Sequence, residues 1–230
     1  MFFHGGGFVI CDLETHDSLC RRLAAAAGMR VLSVDYRLAP EAAFPAQLDD
    51  GEAATRWAIA EAAGLGFEPT AILVGGDSAG AYIAVAVASK LNAERPGAVA
   101  GQALIYPLLE LDDAAWASSV FTHSRILGRV TMGYIRAQLS LAPGVETSLV
   151  DIDLAPLPPT LIATGGALDP CRPDGRRLTA RLRTAGKPVT LLEYPGLMHG
   201  FGSLTHISPA SRRAMAQIGE ATARLVNNCS

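Results

Sequence analysis

The stretch from Ile72 to Ala88 constrains the fold more than any other. An apolar run, Ile72-Leu73-Val74, leads into Gly76-Asp77-Ser78-Ala79-Gly80, and a helix-like run from Ala81 to Ala88 follows at once. The pattern is strand, sharp turn, helix. In such a turn the serine occupies strained backbone with its hydroxyl thrust outward, and small residues two before and two after it let strand and helix pass closely. The turn also sets Ser78 at the start of a helix, where free N–H groups and the helix dipole favour developing negative charge. A bare Gly-x-Ser-x-Gly arises often by chance. The flanking strand and helix distinguish a nucleophile turn from a plain Gly/Ser corner.

The same rhythm runs through the chain. Strand-like runs fall at Met1–Phe3, Arg30–Tyr36, Ala71–Val74, Val99–Tyr106, Thr160–Thr164 and Pro188–Tyr194. Helical patterns lie between them, near 14–27, 46–63, 79–92, 174–185 and 209–227. Strands separated by helices imply an α/β fold, with a mostly parallel sheet of about six strands covered on both faces. Ligands of such sheets bind at the carboxyl ends of the strands. With 230 residues, half of them hydrophobic, residues 1–230 suit a single catalytic domain with a sizeable core. The segment 112–145 breaks the rhythm. It carries Trp116, Phe121, His123, Met132 and Tyr134 and reads as a helical lid or pocket wall over the strand ends, with an ordinary long crossover as the alternative.

Composition removes several function classes. A net charge of −3, from 19 basic and 22 acidic residues, is too balanced for a nucleic-acid partner or an anionic membrane surface. No apolar run reaches the roughly 18 residues of a membrane span. The start, Met1-Phe2-Phe3-His4-Gly5, lacks the basic and apolar regions of a signal peptide. Cys11, Cys20, Cys171 and Cys229 form no Cys-x-x-Cys pair and no metal-ligand spacing, so free thiols in a reducing cytoplasm are expected.

A serine hydroxyl is a poor nucleophile at neutral pH and needs a base, with an acid to orient that base. In this topology the order is Ser, Asp or Glu, then His. Asp169 follows the Thr160–Thr164 run, and His199 follows the Pro188–Tyr194 run, so both fall on the rim that carries Ser78. His16 lies in the first helical pattern, His123 in the insertion, and His206 seven residues beyond His199; none has the post-strand position. Asp174 starts the next helix and reads as its first-turn charge. Asp77 adjoins Ser78 but points away from it along the turn. The oxyanion formed on attack needs donors. His4-Gly5-Gly6-Gly7-Phe8 supplies unshielded backbone N–H groups, and Ala79 follows the nucleophile. The glycine loop lacks the lysine and the Gly-x-Gly-x-x-Gly spacing of nucleotide sites.

His4-Gly5-Gly6-Gly7-Phe8, Asp35-Tyr36-Arg37-Leu38-Ala39-Pro40-Glu41, Gly76–Gly80, Asp169-Pro170 and His199-Gly200-Phe201 occur in one order and spacing. In these five motifs the chain resembles the hormone-sensitive-lipase-like carboxylesterases (bacterial family IV) of the α/β-hydrolase fold, from residue 1 to about residue 225. The resemblance implies Ser78 as nucleophile, His199 as base and Asp169 as acid, with Gly5, Gly6 and Ala79 as oxyanion donors. It implies an acyl-enzyme route on short- to medium-chain esters of small-molecule size, with neither metal nor organic cofactor. Phe8, Trp116, Phe121 and Tyr134 are the expected pocket wall. Arg37 and Glu41 are expected to tie loops under the site.

Three departures stand out. Family members carry a long segment before the glycine loop that supplies cap helices and two strands, whereas three residues precede His4 here. Ala81 replaces a usual glycine, and Cys171 in Pro170-Cys171-Arg172-Pro173-Asp174 replaces a usual leucine. The missing cap would leave the Arg30–Tyr36 strand as an exposed edge, so either a longer chain or pairing with a second copy, a homodimer, is expected. Cys171 reads as a buried thiol, with a reactive thiol as the alternative. A non-catalytic binding module of the same fold, and an amidase or thioesterase with the same triad, are the rival functions. Presence of His199 in its motif favours the enzyme.

Overall fold

The computed structural model describes residues 1–112, 128–141 and 147–227. In chain order its elements are β1 (Phe2–Phe3), α1 (Leu13–Ala27), β2 (Ser33–Val34), α2 (Ala46–Ala60), α3 (Ala62–Leu65), β3 (Leu73–Asp77), α4 (Ala79–Glu94), β4 (Gly101–Ile105), α5 (Arg129–Leu139), β5 (Thr160–Thr164), α6 (Arg172–Thr184), β6 (Val189–Glu193) and α7 (Pro209–Asn227). Single 3-10 turns lie at Pro69–Ala71 and Phe201–Leu204. The six strands form one parallel sheet in the order β2-β1-β3-β4-β5-β6.

Alternate residues of each strand point to opposite faces, and here both faces are covered. Phe2, Leu73, Ala103 and Leu161 pack beneath α1 and α7, with Leu19, Leu23, Met215 and Ile218. Their neighbours Phe3, Val74, Leu104 and Ile162 pack beneath α4 and α6, with Tyr82, Ile83, Leu178 and Leu182. The strands therefore read as continuous apolar runs. The α4 helix is buried nearly all round, from Ala79 through Leu91. A helix in that position has little use for a polar face.

Local signals set the helix ends. Asp12 caps α1 by accepting from the Thr15 N–H at 2.8 Å, while the Thr15 hydroxyl accepts from the Asp12 N–H at 2.9 Å. Gly28 closes the helix in the left-handed conformation, φ 61°. This phase buries His16, Leu19, Cys20 and Leu23 along one stripe.

Several boundaries shift from the sequence expectation. The Arg30–Tyr36 run narrows to a two-residue strand, Ser33–Val34, because pairing extends only along Phe2–Phe3. It does form one edge of the described sheet, with Leu32 exposed. An apolar cavity of about 510 Å³ opens beside it at the amino ends of the strands, lined by Phe2, Leu32, Phe67 and Ile72 among others. That is the end of the sheet opposite Ser78. Within the 112–145 insertion, α5 is helical as expected; Trp116, Phe121 and His123 lie outside the described residues. No helix among the described residues is long and apolar enough to cross a membrane.

Candidate active site

Ser78 adopts φ 51° and ψ −118°, in a region where side chains other than glycine are strained. Two glycines make that turn possible. A Cβ at Gly80 would overlap the Phe3 and His4 carbonyl oxygens, and one at Gly76 would overlap Gly80 itself. The turn is held from both sides. The Ser78 N–H donates to Ile105 O at 2.9 Å, and Ser78 O accepts from the N–H groups of Ala81 and Leu108, each at 3.1 Å. Such strain costs on the order of 1–3 kcal/mol and persists because the surroundings over-determine it. Ala81, in place of the family glycine, is fully buried without disturbing this turn.

The strand ends bring Ser78, Asp169 and His199 together. His199 Nε2 lies 2.9 Å from Ser78 Oγ, and His199 Nδ1 lies 2.8 Å from Asp169 Oδ1. The buried Asp169 carboxylate is fixed by two backbone donors, Gly165 N–H to Oδ2 at 2.8 Å and Cys171 N–H to Oδ1 at 3.1 Å. Nδ1 therefore carries the proton it donates to Asp169, which leaves Nε2 as the acceptor facing the serine hydroxyl. Tyr106 supports the imidazole, with ring centroids 4.9 Å apart, and Phe201 backs Tyr106 at 4.8 Å.

The glycine loop departs from expectation at Gly5. Its N–H donates to Asp77 Oδ1 at 2.8 Å, so it is not open to an oxyanion. Gly5 is instead the anchor of the loop. The N–H groups of Gly6 and Gly7 have no hydrogen-bond partner among the described residues, and both glycines have positive φ, 111° and 63°. Ala79 opens α4, where a helix has no internal acceptor for its N–H. Gly6, Gly7 and Ala79 are thus the donors left free. Sequence alone does not single out Gly7, because three consecutive glycines look alike until a partner claims one of them.

Asp77 and His16 are the other residues that sequence reasoning left without a role. His16 Nε2 sits 3.3 Å from Asp77 Oδ1 and 3.4 Å from Oδ2, with both side chains buried. Burial alone pulls the His16 pKa down, but the hydrogen bond and charge of Asp77 outweigh it and raise the pKa above its ordinary value. Beside them, His4 Nδ1 donates to Gly5 O at 2.7 Å, its ring stacks on Tyr36 at 4.3 Å, and the Tyr36 hydroxyl donates to His4 O at 2.7 Å. Burial lowers the His4 pKa below its ordinary value. The signal lay in the motifs themselves: Tyr36 opens the Tyr36–Glu41 motif and reaches the glycine loop 32 residues away. Arg37 holds Asp50 of α2 through a two-pronged pair, at 2.7 and 2.8 Å, whereas Glu41 is exposed and ties nothing among the described residues.

The remaining candidates separate. Phe8 does not stand on an open wall: it is fully buried, edge-on to Phe44 at 5.9 Å and Tyr82 at 5.8 Å. The cause is the turn after Gly7, which gives Phe8 φ 65° and carries its ring into the core. Tyr134 is exposed on α5, next to Ile135, whose side chain covers Gly7. Trp116 and Phe121 lie outside the described residues. Asp174 is more than a first-turn charge. Its Oδ2 accepts from the Leu109 and Glu110 N–H groups at 2.9 and 3.1 Å, and burial lifts its pKa to about 7. Cys171 is fully buried, and its thiol pKa is pushed well up, first by burial and then by the Asp169 and Asp174 charges.

A serine under backbone strain, hydrogen-bonded through an imidazole to a buried carboxylate on the rim of a parallel sheet, defines a serine hydrolase of the α/β type. Comparison with known proteins narrows the class. Residues 1–203 match the alpha/beta hydrolase fold family, and the chain belongs to it, in the hormone-sensitive-lipase-like branch. It is 37% identical over 225 residues to "Esterase LipI" of Mycobacterium tuberculosis, covering 93% of this chain and 68% of that protein. It is 35% identical over 224 residues to "Carboxylesterase NlhH" of the same organism, covering 93% and 69%. Among solved structures, the hyperthermophilic esterase of Pyrobaculum calidifontis superposes with a TM-score of 0.90 at 35% identity, over 97% of this chain and 73% of that one.

Proposed function

We propose that this chain is a serine carboxylesterase in which Ser78 is the nucleophile, His199 the base and Asp169 its orienting acid. The observation that carries the reading is the continuous hydrogen-bonded line from Ser78 Oγ through His199 to Asp169. Ser78 Oγ attacks the ester carbonyl while His199 Nε2 takes its proton. The carbonyl oxygen becomes an oxyanion facing the N–H groups of Gly6, Gly7 and Ala79. The C–O bond then breaks, the alcohol leaves with the proton from Nε2, and the acyl group stays on Ser78. Water attacks the acyl-enzyme, gives its proton to the same nitrogen, and the acid departs as Ser78 regains its hydrogen.

Short- to medium-chain esters are the proposed substrates, by likeness to the family. The free thiols of Cys11, Cys20 and Cys171 fit a reducing cytoplasm. The outer edge of β2, unpaired among the described residues and with exposed Leu32 beside an apolar cavity, favours pairing with a second copy. The deciding experiment is hydrolysis of p-nitrophenyl acetate alongside labelling by a fluorophosphonate, which needs an activated serine. Wild type should do both. Ser78→Ala should lose the label and at least about a thousandfold in kcat while keeping its circular dichroism spectrum. Full turnover in Ser78→Ala overturns the assignment.

A further inference from the structure

Cys171 stands at the start of α6, two residues beyond Asp169, and is fully buried. Ester hydrolysis gives its sulfur no step; only its backbone N–H serves the site, by donating to Asp169. Yet a donor atom each from Cys171, Asp169 and His199 lies within 4.8 Å of the other two. The His199 nitrogen that faces this cluster is Nδ1, since Nε2 faces Ser78. Thiolate, imidazole and carboxylate are the donor set of zinc-like ions.

We propose that Cys171 Sγ, the Asp169 carboxylate and His199 Nδ1 form an inhibitory site for a thiophilic divalent cation of the zinc and cadmium class. A solvent molecule takes the fourth position. Bonds of about 2.0–2.1 Å to nitrogen and oxygen and about 2.3 Å to sulfur, arranged tetrahedrally, set the separations required. The Nδ1–Oδ1 pair opens from 2.8 Å to about 3.3 Å, and the sulfur closes to about 3.6 Å from each.

Charge and proton balance both favour the site. One dication, one thiolate and one carboxylate sum to zero, so the buried centre carries no net charge. The thiol proton is released to solvent. The imidazole keeps its single proton but moves it from Nδ1, now bound to the cation, to Nε2. An Nε2–H can only donate to Ser78 Oγ and cannot take its proton. The cation thus traps the tautomer that Asp169 otherwise excludes, a loss of the kind that costs about 10⁴ in turnover when a triad acid is neutralised. A leucine at position 171 would offer no such ligand, so the property belongs to this sequence.

The test uses cadmium ion alone, added to the metal-free chain. Thiolate-to-cadmium absorption in the ultraviolet reports binding, and p-nitrophenyl acetate turnover is followed in parallel. Wild type should show a band that saturates at one equivalent, with kcat falling at least about 100-fold, KM unchanged, and EDTA restoring both signals. Cys171→Ser, with Cys171→Val as a second variant should the first fail to fold, should lack that band and keep the same turnover with and without cadmium. Equal bands in wild type and the variants would place the ion on one of the other cysteines, Cys11, Cys20 or Cys229, and overturn the proposal. So would a Cys171-dependent band with turnover intact. Absence of turnover in the metal-free chain would instead sink the esterase reading, while the band still decides the metal site.

Discussion

The Asp77 carboxylate adjoins the nucleophile yet faces away from the triad. It holds the glycine loop through Gly5 N–H and is itself held by His16. In the proposed mechanism it is a positioning residue: it touches no reacting atom but fixes the loop from which Gly6 and Gly7 donate. Asp77→Ala should lower kcat by about 10²-fold, the effect expected of a donor loop displaced by about 1 Å, with KM little changed. A loss confined to thermal stability would refute the positioning role. His16 gives a pH signature. Its pKa is raised on folding, so its contribution to stability is full below its ordinary value of 6.5 and is lost as pH rises through the folded value. The Tm advantage of wild type over His16→Gln should therefore be largest in mild acid and shrink toward alkaline pH. A pH-independent gap would count against a charged His16–Asp77 pair.

At the scale of elements, the β3–Ser78–α4 corner tolerates no added carbon. Gly80→Ala sets a Cβ against the Phe3 backbone carbonyl, and no side-chain rotation relieves that overlap. The expected cost exceeds about 4 kcal/mol, seen as loss of soluble, cooperatively unfolding protein. A folded, active Gly80→Ala would show that β1 can retreat from α4. A second junction is Asp174, by which α6 pins the loop after β4. Its pKa of about 7 lies above the ordinary 3.8, so the folded state holds a proton that the unfolded chain has lost. Stability falls as pH rises through that interval. Asp174→Asn keeps an acceptor oxygen and cannot ionise, so its Tm should gain on wild type as pH rises from about 4 to about 7. Parallel Tm curves would argue against a buried, titrating carboxyl.

For the whole molecule, the proposed pairing with a second copy rests on the outer side of β2. Light scattering should find a dimer, and Leu32→Lys should return a monomer with the triad untouched; a wild-type monomer would remove the pairing. Much of this architecture was legible in the chain because its signals are local. Apolar runs marked β3, β4 and β5, since strands covered on both faces have no polar side to display. Ser78, Asp169 and His199 each declared themselves by standing just past a strand, so a shared rim followed from topology alone. What the chain could not declare depends on distant partners. Gly5 differs from Gly6 and Gly7 only because the Asp77 carboxylate, 72 residues on, claims its N–H. Phe8 became core rather than pocket wall because Phe44 and Tyr82 close around it. Sequence by itself determined the order of the elements and which serine, acid and histidine, Ser78, Asp169 and His199, would meet on the rim, because backbone pattern and turn chemistry are read within a few residues. Only the tertiary structure decided which N–H groups are free, which aromatic ring is buried and which thiol lies against the acid, because each is settled by what the folded chain brings up from elsewhere.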